Sequence, residues 1–429
     1  MIKHVSAVFA FASIVLLASS CNSTFGKRTA YEAYASSLAD ARLDQTSMGQ
    51  QWLTAGRNSL ERPTPAELPY REKGLFTDNR PTAFGFLVNA KRGQRINFEL
   101  TTQPASGFRL FIEIWELDGN EKKLVESIDS LSRQWHIDAD ADKTYILRLQ
   151  PELLQTISYT LSINTAPSLA FPLRQSDNPR IQSFWGADRD GGKRSHEGID
   201  IFARKGVPVI AAAPGVVTRV NENNLGGKVV FLRPDDSNIS LYYAHLDTQL
   251  VNAGQRVNVG DPLGTVGNTG NARNTPAHLH FGIYASQGAI DPLPFVNPAI
   301  PKLPEIKTDT TQLNRYMRLK KEAVLATDAF AGNEKPNQDL PVIPVAAGAD
   351  FYRVLLPDGR QAIARQSQIT TDPLRKAQQV KTEKSIYARP DSSSAILARL
   401  EVGQTMDVIG NTNGYQLVKT AQQTGWVKL

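Results

Sequence analysis

A mainly β, multidomain chain is predicted by three features of the sequence. Its 429 residues suggest about three domains on the usual size of a folding unit. From about residue 80 to 165, apolar residues recur at every second position, the period of half-buried strands. Residues 170–300 then become rich in glycine and β-branched residues and hold four of the six histidines. With 41% hydrophobic and 21% charged residues, the composition is that of an ordinary globular protein with several small cores. The formal charge of +6 is mildly basic, compatible with a polyanionic surface such as a wall or membrane. No dense Lys/Arg run is interleaved with aromatics, so nothing argues for nucleic acid.

Residues 1–20 read as a signal peptide. A lysine near the start is followed by an apolar run from Val5 to Ala18, which is short for a membrane span of roughly 20 residues. Small residues lead into Cys21, the sole cysteine, so no internal disulfide can form. Leu-Ala-Ser-Ser-Cys resembles a bacterial lipobox, with Ala18 standing where leucine is commonest. The resemblance implies acylation of Cys21 and attachment to a membrane leaflet. Asn22, with no Asp after the cysteine, resembles the outer-membrane sorting class, giving a cell-envelope protein that faces the periplasm.

Residues 21–69 are expected to form a helical segment and linker. Tyr31, Tyr34, Leu38, Met48, Trp52 and Leu60 fall roughly at helical spacing, and the proline-rich RPTPAELP at 62–69 ends the pattern. Residues 70–166 are expected to fold as an N-terminal β-sandwich, loosely similar to the pre-peptidase domains of secreted bacterial hydrolases. Ile96, Phe98 and Leu100 alternate with polar neighbours, as do Phe108, Leu110, Ile112 and Ile114, then Tyr145, Leu147 and Leu149, then Tyr159, Leu161 and Ile163. The acidic turn DADAD at 138–142 suggests calcium, but it lacks EF-hand spacing and reads first as a solvated turn. Residues 301–340 read as a linker with a short helix from Leu313 to Leu325. Residues 341–429 return to short strands. Within them, the arginine-proline turn at 389–390, the Gly403-Gln404 corner and the closing Gly425-Trp426-Val427 resemble a bacterial SH3 domain. DFYRVLLPDGRQAIARQSQIT at 350–370 looks like the end of a second such unit, which gives small C-terminal barrels.

The chemistry lies in residues 167–300. PAHLHFGI at 276–283 places His278 and His280 one residue apart. On an extended strand both side chains share a face while Leu279 points the other way. Two imidazoles side by side pack poorly in a core and well around a metal. SHEGIDIF at 195–202 adds His196 and Asp200, with Gly198 favouring a loop that runs into a strand. LYYAHLD at 241–247 adds His245. A catalytic zinc usually takes three protein ligands and keeps a fourth position open. Three of these five residues therefore suffice for the metal, and two histidines remain for general-base work and oxyanion support.

H-x-x-x-D at 196–200, Tyr-x-His-Leu at 243–246 and H-x-H at 278–280 resemble the lysostaphin/LytM-type metalloendopeptidases of peptidoglycan. GVPVIAAAPGVV, GQRVNVGDPLGTVGNTG and IDPLPFV are similar to the same family's core. The match covers about residues 168–300. It implies a compact antiparallel β-sheet metallopeptidase core with an open groove. It further implies zinc on His196, Asp200 and His280, with His245 and His278 as the catalytic pair acting on peptidoglycan peptides. NTPAHLHF departs from the Ser-Thr-Gly-Pro approach common before H-x-H, which bears on loop shape and substrate preference. Trp185 reads as a packed strand-end aromatic before it reads as a substrate platform. Asp247 reads equally as an orienter of His245 or as a turn residue. The alternative to a zinc endopeptidase is a catalytically silent envelope scaffold that binds the wall and activates another hydrolase, through a regulatory envelope partner. The sequence leaves the oligomeric state open.

Overall fold

A computed structural model describes residues 28–128, 134–189, 191–235, 237–328 and 332–429. The expected signal peptide and Cys21 lie outside the described residues. The chain is mainly β and multidomain, with short helices confined largely to its N-terminal part. Among the described residues no helix is long and apolar enough to cross a membrane.

Two helices open the described chain. Ala30–Asp40 starts at a capping box, in which the Thr29 side chain accepts from the Glu32 amide and Glu32 reaches back to the Thr29 amide. Ser47–Glu61 follows. Tyr31, Tyr34 and Trp52 pack together on Phe111 of the first sheet. The Trp52 indole donates to the Pro151 carbonyl at 2.7 Å, so this segment is fastened to the sandwich.

The sandwich sets a five-stranded sheet against a larger one. Phe84–Ala90, Lys143–Pro151, Leu110–Asp118 and Glu121–Ile128 form most of the first sheet. Tyr70–Phe76, Ile157–Pro167, Gln94–Gln103 and Gln134–Asp138 form one end of the second. The alternating residues picked out by period, among them Ile96, Phe98, Leu100, Leu147, Leu161 and Ile163, fill one shared core. In the acidic turn, Asp138 pairs with Arg95, Asp140 with Lys143 and Asp142 with Lys91. Lysine and arginine thus partner all three carboxylates of the turn.

The sandwich sheet does not end with the sandwich. Tyr70–Phe76 pairs with Pro341–Ala347, and the sheet continues through Phe351–Leu355 and Gln361–Arg365. Arg353, fully buried, reaches across this junction. Its Nε donates to Glu72 at 3.2 Å and its Nη2 to the Tyr70 hydroxyl at 3.0 Å; Thr64 completes the guanidinium's partners. Tyr159 donates to the second Glu72 oxygen at 2.6 Å.

This junction corrects the expected linker over 301–340. The helix over Leu313–Leu325 is not formed; instead Met317–Leu319 and Leu325–Asp328 are strands. Met317, Leu319 and Leu325 alternate with exposed or half-buried residues and are buried with Tyr352, Val354 and Ile369, so the first small β unit begins well before residue 341. The chain ends in a separate six-stranded antiparallel sheet between Arg375 and Lys428, with a small core around Val380, Leu400 and Val418.

Between these parts lies the histidine-bearing unit. Its main sheet runs Arg180–Ser183, Ile199–Phe202, His278–Ala285, Ser240–Leu246, Gly227–Pro234, Gly215–Asn223 and Arg256–Val257, all antiparallel. Its two ends meet on the sandwich, where the Leu169 amide donates to Phe295 O at 2.8 Å. The unit is thus an insertion within a body assembled from both ends of the chain.

Candidate metal centre

Strand register builds the centre. Asp200 lies directly opposite His280, and Phe202 opposite His278. Cross-strand partners share a face, so the carboxylate and both imidazoles stand on one side of the sheet. Leu279, Ile201, Phe281 and Ile199 occupy the other side, where they are fully buried. Phe202 stacks on the His278 ring at 4.9 Å. His196 arrives from the preceding loop, and Gly198 allows it: a Cβ there would lie 2.7 Å from the His280 ring and 2.6 Å from the Phe281 carbonyl.

His245 reaches this face by a local break in the strand. Ala244 pairs with His280, so strict alternation would turn His245 into the core. The Ser240–Leu246 strand carries a register shift against Gly227–Pro234, and His245 has φ of +60°. A bulge of this kind redirects a side chain beside a functional site. A left-handed non-glycine residue costs about 1–3 kcal/mol and persists only when its surroundings enforce it. Here the His245 amide donates to Gly226 O at 2.7 Å, and its ring lies 5.0 Å from that of His278.

Three donor atoms converge. His196 Nε2, Asp200 Oδ1 and His280 Nδ1 are each 3.0 Å from the other two. One ion with bonds of about 2.0–2.2 Å to three donors spaces them roughly 3.0–3.5 Å apart. Lone pairs that close repel unless a cation lies among them, so the donor set fits a divalent metal. The tautomers agree. His196 Nδ1 lies 2.9 Å from Phe184 O, His245 Nδ1 2.9 Å from Thr269 O and His278 Nδ1 2.8 Å from Pro276 O. A carbonyl only accepts, so each of these nitrogens carries the proton and leaves Nε2 as the basic atom. His278 Nε2 stands 4.0 Å from Asp200 Oδ1, beside the donor triangle and outside it.

The electrostatics favour an ionised Asp200 beside a neutral His245. Burial raises the Asp200 carboxyl, but the His196 and His280 rings beside it outweigh burial and hold the group below the usual carboxylate range. Burial, then the neighbouring His278 and His280, pushes His245 down to about 4.

No sequence motif marks Arg189. Its Nη2 donates to Asp200 Oδ2 at 2.9 Å and to Ser183 Oγ at 2.6 Å. With Oδ2 engaged by the guanidinium, Oδ1 alone points at the donor triangle. Arg189 sits in an irregular two-stranded hairpin, Asp188–Arg189 against Arg194–Ser195, where no periodicity marks it. Asp247, weighed as an orienter of His245, pairs with Lys205 at 3.0 Å instead; the Thr269 carbonyl orients the ring. Trp185 is half-buried. Phe184 and Leu225, each about half exposed, flank the centre on the His196 and His245 sides.

The fold and the site define an antiparallel β domain with three convergent donor atoms that could hold a metal ion and two further imidazoles at their edge. Residues 194–292 match the model of Peptidase family M23, and the central unit is a Peptidase M23 domain. Over 137 residues the chain is 39% identical to an L-Ala--D-Glu endopeptidase of Bacillus subtilis, covering 29% of this chain and 42% of that one. It is 40% identical over 110 residues to the uncharacterized lipoprotein YgeR of Escherichia coli, covering 25% and 41%. It is 31% identical over 151 residues to the murein hydrolase activator NlpD of Salmonella dublin, covering 34% and 38%. The chain thus spans less than half the length of each of these relatives.

Proposed function

We propose that this protein is a zinc-dependent endopeptidase that hydrolyses peptide cross-links of bacterial peptidoglycan during cell-wall remodelling. The observation that carries the reading is the donor triangle of His196, Asp200 and His280, with two tautomer-locked imidazoles, His245 and His278, beside it. Bound zinc supplies Lewis acidity at the scissile carbonyl and lowers the pKa of water towards about 7. His245 and His278 do the proton work at Nε2. Either can accept the proton of the attacking water at Nε2, and the imidazolium so formed donates a hydrogen bond to the developing oxyanion before returning the proton to the leaving amine. Thr269 O and Pro276 O hold the rings so that Nε2 faces the substrate. Arg189 holds Asp200 Oδ2 and so orients the carboxylate.

The N-terminal sequence supports export and a lipid anchor at Cys21, in the outer membrane facing the periplasm. The SH3-like C-terminal strands are suited to docking on wall peptide, which would raise local substrate concentration.

The likeness to a protein named as a hydrolase activator supports a second reading, a silent scaffold that switches on another enzyme. One experiment separates them. Purified mature protein incubated with isolated sacculi is expected to release soluble peptide-linked fragments, and a zinc chelator is expected to stop the release. Sacculi left intact in every buffer would favour the scaffold.

A further inference from the structure

The strand that carries His278 and His280 continues to Gly282 and Tyr284, on the same face. Tyr242 lies opposite Gly282 on the neighbouring strand. A Cβ added to Gly282 would meet the Glu197 carbonyl oxygen at 3.2 Å, Tyr284 Cε2 at 3.4 Å and Tyr242 Cδ1 at 3.5 Å. Glycine therefore lets the Glu197 segment and the Tyr242 and Tyr284 rings close over the strand, so the carboxylate and the two rings form one patch beside His280. The two tyrosine rings are 5.9 Å apart, edge to face, and the Tyr242 ring is 5.8 Å from that of His280.

Charge distinguishes this patch from an apolar one. The Tyr284 hydroxyl donates to Glu197 Oε2 at 3.3 Å, the one hydrogen bond to that carboxylate among the described residues. Glu197 is otherwise exposed. Burial, then the Glu197 charge, pushes Tyr284 up to about 12, so the phenol remains a neutral donor. A substrate carboxylate would meet like charge here. An apolar side chain would strip water from Glu197 and give nothing in return. A cation would gain both the carboxylate and the aromatic rings. From His280 to Gly282 is two strand residues, about 7 Å, a span that a four-carbon amine side chain covers.

We propose that Glu197, Tyr242 and Tyr284 form a specificity subsite for a primary ammonium group, the side-chain amine of a diamino acid flanking the scissile bond. The subsite rests on the endopeptidase reading for its place beside the reaction, but its test reads binding. The full-length chain is titrated by calorimetry with a stem-type peptide whose lysine side chain is free or Nε-acetylated. The free amine is expected to bind about tenfold more tightly. Glu197→Gln is expected to bring that ratio close to one, and Glu197→Asp to restore part of it. Metal content of both variants, measured alongside, stays at the wild-type level, which separates the effect from damage to His196. Equal affinity of the wild type for the two peptides overturns the subsite. So does an unchanged ratio in Glu197→Gln, or a ratio that collapses only with loss of metal. A chain that shows the preference but cleaves neither peptide would contradict the hydrolase reading and leave the subsite standing.

Discussion

Alanine in place of His280 is expected to remove bound metal and cleavage together, whereas His245→Ala keeps the metal and slows turnover about 10²–10⁴-fold. The difference follows from where each imidazole stands. His280 Nδ1 is one corner of a donor triangle 3.0 Å on a side, and two remaining donors hold an ion poorly. His245 presents Nε2 to the same space, but its Nδ1 is committed to Thr269 O and its ring centre lies 5.9 Å from that of His280. Removing it takes away a proton carrier and leaves all three donors in place. Metal content after dialysis and fragment release from sacculi read the two effects separately. A His280→Ala protein that retains both would remove the proposed mechanism.

The second large effect is on stability. Arg353→Met is expected to destabilise the body that joins the sandwich to the first C-terminal β unit by about 3–5 kcal/mol, the usual result of leaving one member of a buried ion pair alone. Both Arg353 and Glu72 are fully buried, and Tyr70, Tyr159 and Thr64 are arranged around their charges. With the guanidinium gone, Glu72 keeps the Tyr70 and Tyr159 hydroxyls but has no counter-charge. Urea unfolding followed by tryptophan fluorescence reports on this body through Trp52, Trp115 and Trp135, and the same variant should retain its metal, since the centre lies in a separate core. A shift below about 1 kcal/mol would show that the junction is not held in this way.

These two sites differ in how far the sequence reveals them. His278 and His280 announce themselves because the strand period puts both on one face, and the period-two runs of the sandwich mark its core residues, such as Phe98 and Leu147. Period alone misplaces His245. Alternation from Ala244 would send it into the core, and only the bulge with φ of +60° brings it to the face of His278 and His280. Arg189 and Asp247 show the limit for partners: which carboxylate or carbonyl a side chain meets depends on loops folding back, and Arg189 finds Asp200 while Asp247 finds Lys205. The strands at Met317–Leu319 and Leu325–Asp328 were hidden for a related reason. Their apolar residues are few enough to fit a short amphipathic helix, and only the non-local core with Tyr352 and Val354 makes them extended. The pairing of Tyr70–Phe76 with Pro341–Ala347 spans the inserted domain, beyond the reach of any local pattern.

Diffraction from crystals of the zinc-loaded chain, recorded on both sides of the zinc absorption edge, tests the central claim most directly. An anomalous peak is expected within about 2.0–2.2 Å of His196 Nε2, Asp200 Oδ1 and His280 Nδ1, with His245 and His278 beside the ion and not bound to it. A peak elsewhere, or an ion held by His245 or His278 in place of one of those three donors, would contradict the account.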